Sequence, residues 1–168
     1  MSFPLHTVML VVHVLLGLGG FVLGGLALIL PKFGARSRGH RLVGRAYAVS
    51  MLGMSLLSVP LAASQGNVLL LVIGVLTVLW VALGWGALFQ FLRARARGQP
   101  ETAGRWLGGH INLMGSSYIA AWTAFLVNVE PLGTHPALVT AYVALPSLVG
   151  SVLIARAIRR QGRVSALA

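Results

Sequence analysis

The stretch TVMLVVHVLLGLGGFVLGGLALIL, from Thr7 to Leu30, contains no Asp, Glu, Lys or Arg. A helix that crosses the hydrocarbon core of a bilayer needs about 20 consecutive apolar residues. This stretch meets that requirement, and His13 is its one ionisable side chain. It therefore predicts a membrane-spanning helix and decides the fold class.

Four further segments are also long and mostly apolar, and the composition of the whole chain is that of a membrane protein. The protein is 57% hydrophobic and 9% charged, whereas soluble domains carry about 25% charged residues. The sequence predicts an all-α fold, a polytopic bundle of five transmembrane helices, in a single domain of residues 1–168. The predicted spans are Thr7–Leu30, Val43–Ala63, Val68–Leu92, Leu107–Asn128 and Pro136–Ala155.

The distribution of basic residues predicts the orientation of these spans. Twelve of the 13 Lys and Arg residues lie between spans one and two, between spans three and four, or after span five. The thirteenth, Arg45, lies at the start of span two, at the same end of that span. Cytoplasmic loops carry the excess of Lys and Arg in membrane proteins. We therefore expect the N-terminus outside and the C-terminus in the cytoplasm of a bacterial inner membrane.

The net charge of +11 also bears on the partners of the protein. The basic residues lie near the ends of the spans and do not form one basic face of a soluble domain, so nucleic acid is not an expected partner. We expect anionic lipid headgroups on the cytoplasmic face, and other membrane subunits as possible protein partners.

Several classes of chemistry are excluded by residues that the chain lacks. It has no Cys, so disulfides, thiolate metal sites and iron–sulfur clusters are excluded. Its two acids, Glu101 and Glu130, lie in predicted loops. A carboxylate-based proton or cation pathway normally needs acids inside the membrane, and paired-carboxylate catalysis needs two acids together. Independent catalytic activity is therefore not expected.

Histidine is the remaining chemistry-bearing side chain, and three of the five histidines precede a glycine by about one helical turn. Residues i and i+4 share a helix face, so a glycine there leaves a flat recess beside the imidazole. A haem could lie in that recess with its iron bound by the imidazole. Alternatively, the glycine admits a neighbouring helix while the imidazole bonds to a backbone carbonyl. The pairs are His13 with Gly17, His40 with Gly44, and His110 with Gly115.

Depth in the membrane separates the histidines. His40 and His110 both fall near cytoplasmic ends of their predicted helices, which makes them candidate axial ligands of a b-type haem, or ligands of another metal. His13 lies about 9 Å below the outer side at 1.5 Å per residue. It is a candidate for an outer site together with His6 or His135.

Other polar side chains near these histidines are candidate cofactor contacts. Arg41, Arg45 and Arg105 are placed to neutralise the two haem propionates, although they also serve as anchors to lipid headgroups. Tyr47 and Tyr118 are candidates for contacts with the cofactor. Asn112 is a second candidate hydrogen-bonding group on the fourth helix.

The segments HRLVGRAYAVSML and WLGGHINLMGSSYIAAWTAFLVN, after a histidine in the first helix, resemble a family of small bacterial membrane proteins. That family is catalogued as domain of unknown function 2306, and the resemblance covers about residues 8–128. It implies that His13, His40 and His110 act together, without implying an activity. The matching residues are His13, His40, Arg41, Gly44, Arg45, Tyr47, Trp106, His110, Met114, Ser117 and Tyr118. The start of span three, SQGNVLLL, departs from the family pattern, which often has further polar residues there.

Three functions are compatible with these patterns. The first is a small haem- or metal-binding protein that transfers electrons, to or from quinone for example. The second is a non-enzymatic accessory or assembly subunit of a larger membrane complex, with glycine-rich faces that dock partner helices. The third is a small-molecule transporter, against which the absence of intramembrane acids counts.

Overall fold

The computed structural model describes residues 3–32, 37–129 and 136–165, and these form five α-helices without a strand. The helices are α1 (Phe3–Ile29), α2 (Ser37–Ser64), α3 (Val68–Ala96), α4 (Pro100–Val129) and α5 (Pro136–Ser165). The all-α prediction is confirmed, as is the order of five long helices.

The helices extend beyond the predicted membrane spans wherever basic residues flank an apolar segment. Helix α2 begins at Ser37 and not at Val43, and α4 begins at Pro100 and not at Leu107. Helix α5 continues to Ser165. The predicted bounds follow apolar residues, but helical hydrogen bonding continues through arginine, which is a good helix former.

A tight turn at SQGN, residues 64–67, connects α2 with α3. Gly66 has a φ of 65°, a left-handed conformation that glycine adopts without steric cost. The backbone N–H of Asn67 donates to the Ala62 carbonyl at 3.0 Å, and that of Gly66 donates to Ala63 at 3.2 Å. This Schellman pattern ends α2. The Asn67 side chain then accepts a hydrogen bond from the N–H of Leu70 at 3.1 Å and caps α3.

The turn between α3 and α4 repeats this arrangement. Gly98 has a φ of 66°, and the N–H of Gln99 donates to the Ala94 carbonyl at 3.0 Å. Pro100 follows at the first position of α4, where a missing N–H costs no helical hydrogen bond.

Residue contacts divide the chain into two compact units, Met1–Leu79 and Trp80–Ala168, with the boundary inside α3. The first unit holds α1, α2 and the beginning of α3. The second holds the rest of α3 with α4 and α5. The expectation of a single domain stays a prediction.

In the first unit, α1 and α2 pack closely through glycines. A Cβ added at Gly17 would lie 3.3 Å from the sulfur of Met54, and one added at Gly20 would lie 2.9 Å from the sulfur of Met51. Met51 is fully buried. The glycines therefore let side chains of α2 rest against the backbone of α1.

In the second unit, isoleucine side chains pack against glycines of the facing helix. A Cβ at Gly115 of α4 would lie 2.6 Å from Ile154 of α5, and a Cβ at Gly150 of α5 would meet Ile119 of α4. Gly115 precedes Ile119 along α4, whereas their respective partners, Ile154 and Gly150, follow each other in the opposite order along α5. The two helices are therefore antiparallel. This interlock fixes the register of α4 against α5.

Four helices are long and apolar enough to cross a membrane: α1, α2, α3 and α5, with mean hydropathies of 2.2, 1.6, 2.6 and 2.0. Helix α4 does not reach the same apolarity, because polar residues such as His110, Asn112 and Ser116 interrupt it. These properties indicate a membrane protein. The count of five spans and the orientation stay predictions.

Candidate functional site

The three histidines singled out from the sequence form the same contact. Each is half-buried, and each donates its Nδ1–H to a backbone carbonyl of a neighbouring helix in the same unit. A carbonyl only accepts hydrogen bonds, so the proton lies on Nδ1 and the ring lone pair lies on Nε2. The bonds join His13 to Met54 at 2.9 Å, His40 to Ala27 at 3.0 Å and His110 to Gly84 at 2.8 Å.

This contact has two chemical consequences. It joins helices by a polar bond inside an apolar structure, as the alternative interpretation of the His–Gly pairs expects. It is also the contact that metal-ligating histidines use to fix their tautomer and orientation. The surroundings of each imidazole must therefore decide between a structural and a ligand-binding role.

The glycine recess beside each imidazole distinguishes the three histidines. The recess at Gly17 is filled by the side chain of Met54, and the recess at Gly115 is filled by Ile154. At Gly44, an added Cβ would meet nothing within 4 Å. Only the recess one turn from His40 therefore has room for a group from outside the chain.

The distance between His13 and His40 excludes a shared haem. Ala27, which accepts the bond from His40, lies fourteen residues after His13 on α1. That separation is about 21 Å along the helix axis. Two axial imidazoles must lie at one level on either side of the iron, so these two histidines do not form such a pair.

His40 lies in the first unit and His110 lies in the second. Their pairing as the two axial ligands of one haem stays a prediction. Within the described ranges, no group of three or more His, Cys, Asp or Glu residues could hold a metal ion.

The two remaining histidines add no second ligand to these sites. His6 is half-buried on α1 and makes no hydrogen bond to the residues that the structure describes. His135 lies outside the described residues, as does Glu130. The outer site that the sequence suggested for His13 therefore stays a prediction.

The predicted cofactor contacts lie in different surroundings. Arg41 and Arg45 are exposed on α2, beside the open recess at Gly44. Arg105 is exposed on α4 and donates to the hydroxyl of Thr102 at 3.5 Å. Tyr47 is buried, with 4% of its surface exposed, so it packs within the first unit, and its contact with a cofactor stays a prediction.

Tyr118 packs in the second unit. Its ring meets Trp122 edge-on, with centroids 6.4 Å apart. This geometry is a favourable aromatic contact and gives Tyr118 a packing role on α4.

One side chain that sequence reasoning missed is Gln161 near the end of α5. It is buried, with 8% of its surface exposed, and its Oε1 accepts no hydrogen bond from the described part of the chain. In the sequence it follows Arg159 and Arg160 and looks like part of a basic tail. Only its small exposed fraction in the structure shows that this side chain is buried.

No protein-family model, curated protein or solved structure matches this chain. The resemblance over residues 8–128 therefore rests on the quoted motifs and stays a prediction.

The imidazole–carbonyl bond of His13 predicts a stability effect that depends on the donor. Replacing His13 with Leu removes the donor and should lower the free energy of unfolding by about 1 kcal/mol, the scale of polar bonds between membrane helices. His13→Asn should retain most of the stability, because its amide nitrogen occupies nearly the position of Nδ1. Reversible unfolding in mixed detergent micelles measures both.

His6→Leu is the matched control for this pair, because His6 lies on the same helix without such a bond. We expect its unfolding free energy to equal that of the wild type. Equal losses for Leu and Asn at position 13 would contradict a role for the bond to Met54.

Proposed function

We propose that the chain is a five-span integral protein of a bacterial inner membrane, with the N-terminus outside and the C-terminus in the cytoplasm. Four helices with the length and apolarity of membrane spans support this proposal. The restriction of all 13 Lys and Arg residues to alternate ends of the five helices supports the orientation.

Helix α4 is the fifth span in this proposal despite its lower hydropathy. It contacts α3 through His110 and Gly84, and α5 through Gly115 and Ile154. Both partner helices are apolar enough to span a membrane. A helix flanked by two spans can bury polar groups, and Ser117 and Thr123 are buried.

Within this membrane frame, we propose a non-enzymatic accessory or assembly subunit of a larger membrane complex. The main support for this proposal is that histidines whose side chains could bind a cofactor form bonds between helices within each unit. His13 and His110 bond to carbonyls, and the recesses near them are filled by Met54 and Ile154. The transporter alternative gains no support, because the four span candidates contain no Asp or Glu.

The outer surface of α5 is the proposed docking face for a partner subunit. None of the apolar window of α5 is buried, compared with 39% of the window of α2. Leu145 and Leu148 are 61% and 67% exposed. This face offers a long apolar surface to a partner helix.

The absence of cysteine makes the topology testable by single substitutions. We expect Gln65→Cys and Asn128→Cys to react with a membrane-impermeant maleimide in intact cells, and Gln99→Cys to react after the membrane is opened. All three side chains are exposed. Labelling of positions 99 and 128 from the same side would show that α4 does not cross the membrane.

The docking face on α5 predicts an asymmetric effect of bulky substitutions. We expect Leu148→Trp to reduce several-fold the fraction of the chain that migrates in a high-mass complex on a native gel after mild solubilisation. Val22→Trp on α1 is the control, because Val22 is also highly exposed, at 64%. Equal behaviour of the two variants, or a monomeric wild type, would contradict the proposal.

The second candidate function is binding of a b-type haem at His40, favoured by the open recess at Gly44. The bond to Ala27 orients the imidazole of His40, and Arg41 and Arg45 are placed to neutralise propionates. A haem bound there would supply a redox-active iron. The chain's own contribution would be one imidazole, the recess and the two guanidinium groups.

Haem binding at His40 predicts a spectrum that two different substitutions should abolish. If haem binds, the protein purified from haem-replete cells shows a Soret band that sharpens with dithionite. His40→Ala should remove the band by removing the ligand, and Gly44→Leu should remove it by filling the recess. His6→Ala should leave it unchanged. A colourless wild type would eliminate this candidate and leave the accessory-subunit function.

A further inference from the structure

One face of α4 is polar and exposed over the first half of the helix. Glu101, Arg105 and Asn112 are exposed, and a Cβ added at Gly108 would meet nothing within 4 Å. At 3.6 residues per turn, these four positions lie within an arc of about 60° around the helix axis. They therefore form one continuous surface, which we call the Asn112 strip.

The later part of the same face is covered inside the unit. Gly115 and Ile119 continue the strip by helical spacing, and they contact Ile154 and Gly150 of α5. This face of α4 is therefore covered from Gly115 onwards and exposed before it.

The polar side chains of the strip do not pair with one another. Arg105 lies four residues after Glu101, a spacing that favours an ion pair on a helix, yet Glu101 forms none with the residues that the structure describes. Arg105 donates instead to the hydroxyl of Thr102, at 3.5 Å. The side chain of Asn112 makes no hydrogen bond within the described ranges.

The depth of Asn112 in the membrane makes its carboxamide the group that needs a partner. Asn112 lies five residues after Leu107, the predicted start of the fourth span, and so about 7.5 Å below the cytoplasmic boundary. Its short side chain cannot reach the headgroups from there, and a carboxamide without a partner in an apolar medium is unfavourable. Asn side chains in membrane helices form hydrogen bonds to neighbouring helices.

A second copy of this chain supplies the chemistry that this carboxamide requires. Two copies in one membrane have the same orientation, so a two-fold axis along the membrane normal brings each residue to the level of its counterpart. A carboxamide both donates and accepts hydrogen bonds, and the two Asn112 side chains can therefore satisfy each other. Gly108, one turn away, allows the two backbones to approach closely.

The charges of the strip also favour a second copy over a different partner. Glu101 of one copy would lie about 6 Å along the axis from Arg105 of the other, a distance that the long arginine side chain spans. Each copy then contributes one acid and one base to two equivalent ion pairs. A partner with only acidic groups would repel Glu101, and one with only basic groups would repel Arg105.

We propose that the Asn112 strip is the interface of a parallel homodimer of this chain. The dimer rests on the proposed membrane placement. It goes beyond the accessory-subunit function, because the docking face for a partner subunit is on α5 and the strip is on α4.

Oxidative crosslinking in native membranes tests the contact on the full chain, which has no cysteine of its own. A disulfide needs two Cα atoms within about 7 Å of each other. We therefore expect Asn112→Cys to give a covalent dimer. The control is Trp106→Cys, because Trp106 is 42% exposed on the same helix but lies about 120° around the axis from Asn112. We expect several-fold less dimer from the control.

Exchange of the two charges tests whether the partner is a second copy. Glu101→Arg places two cations in the strip, and Arg105→Glu places two anions there. Each variant alone should dimerise less than the wild type, because like charges face each other across the axis. When the two variants carry different fluorophores and are mixed in vesicles, the mixed dimer should exceed both homodimers, because every cation then faces an anion.

Substitutions of Asn112 and Gly108 measure what each contributes to association. Asn112→Leu should lower the association constant in vesicles about tenfold, the scale of two hydrogen bonds between membrane helices. Asn112→Gln should retain most of the affinity. Gly108→Leu should weaken the dimer by separating the backbones. Its control is Gly86→Leu on α3, because Gly86 also has open space around it.

A wild type that stays monomeric at every protein-to-lipid ratio would overturn the proposal. Equal crosslinking at positions 112 and 106, or no preference for the mixed dimer, would also overturn it and would show that a different helix covers the strip. If cysteine labelling at positions 65, 99 and 128 gives the proposed topology while the dimer is absent, the interface is wrong and the membrane placement stands. If the labelling fails, the membrane placement itself is wrong.

Discussion

The close approach of helix backbones at glycine is the constraint on which the rest of the structure depends. Helices that pack in lipid gain no hydrophobic stabilisation from one another, so van der Waals contact and polar bonds must hold them. Gly17 and Gly20 bring α1 against α2. Only at that separation does the imidazole of His13 reach the Met54 carbonyl, at 2.9 Å. The glycine contacts and the histidine bonds are thus parts of one arrangement.

The fold was largely predictable because apolar length alone determines where helices can cross a bilayer. The stretch from Thr7 to Leu30 shows this, since α1 covers Phe3–Ile29. The helix ends were not predictable in the same way. Hydropathy changes at Val43, but helical hydrogen bonding has no reason to stop there, and α2 extends back to Ser37.

The residue types of the candidate site could be predicted from the sequence. Whether the recess beside each histidine is open or filled could not. Spacing alone paired His13, His40 and His110 with glycines. Whether each recess is open depends on the side chain that the opposite helix presents, Met54 at Gly17 and Ile154 at Gly115. That choice follows from helix register, which no local pattern encodes. The burial of Gln161 was not predictable for the same reason, because the two residues before it, Arg159 and Arg160, are basic and exposed.

The composition of α4 shows which of its polar residues hold helices together. His110 bonds to Gly84, and Ser117 bonds to the Met114 carbonyl at 2.7 Å, so both have partners inside the unit. Asn112 is exposed and makes no hydrogen bond to the described residues. A helix that needed only to pack would gain from an apolar residue at position 112, because an unsatisfied carboxamide in an apolar medium is costly. The lower hydropathy of α4 therefore has two sources: polar groups that bond within the unit, and a carboxamide that helix packing does not explain.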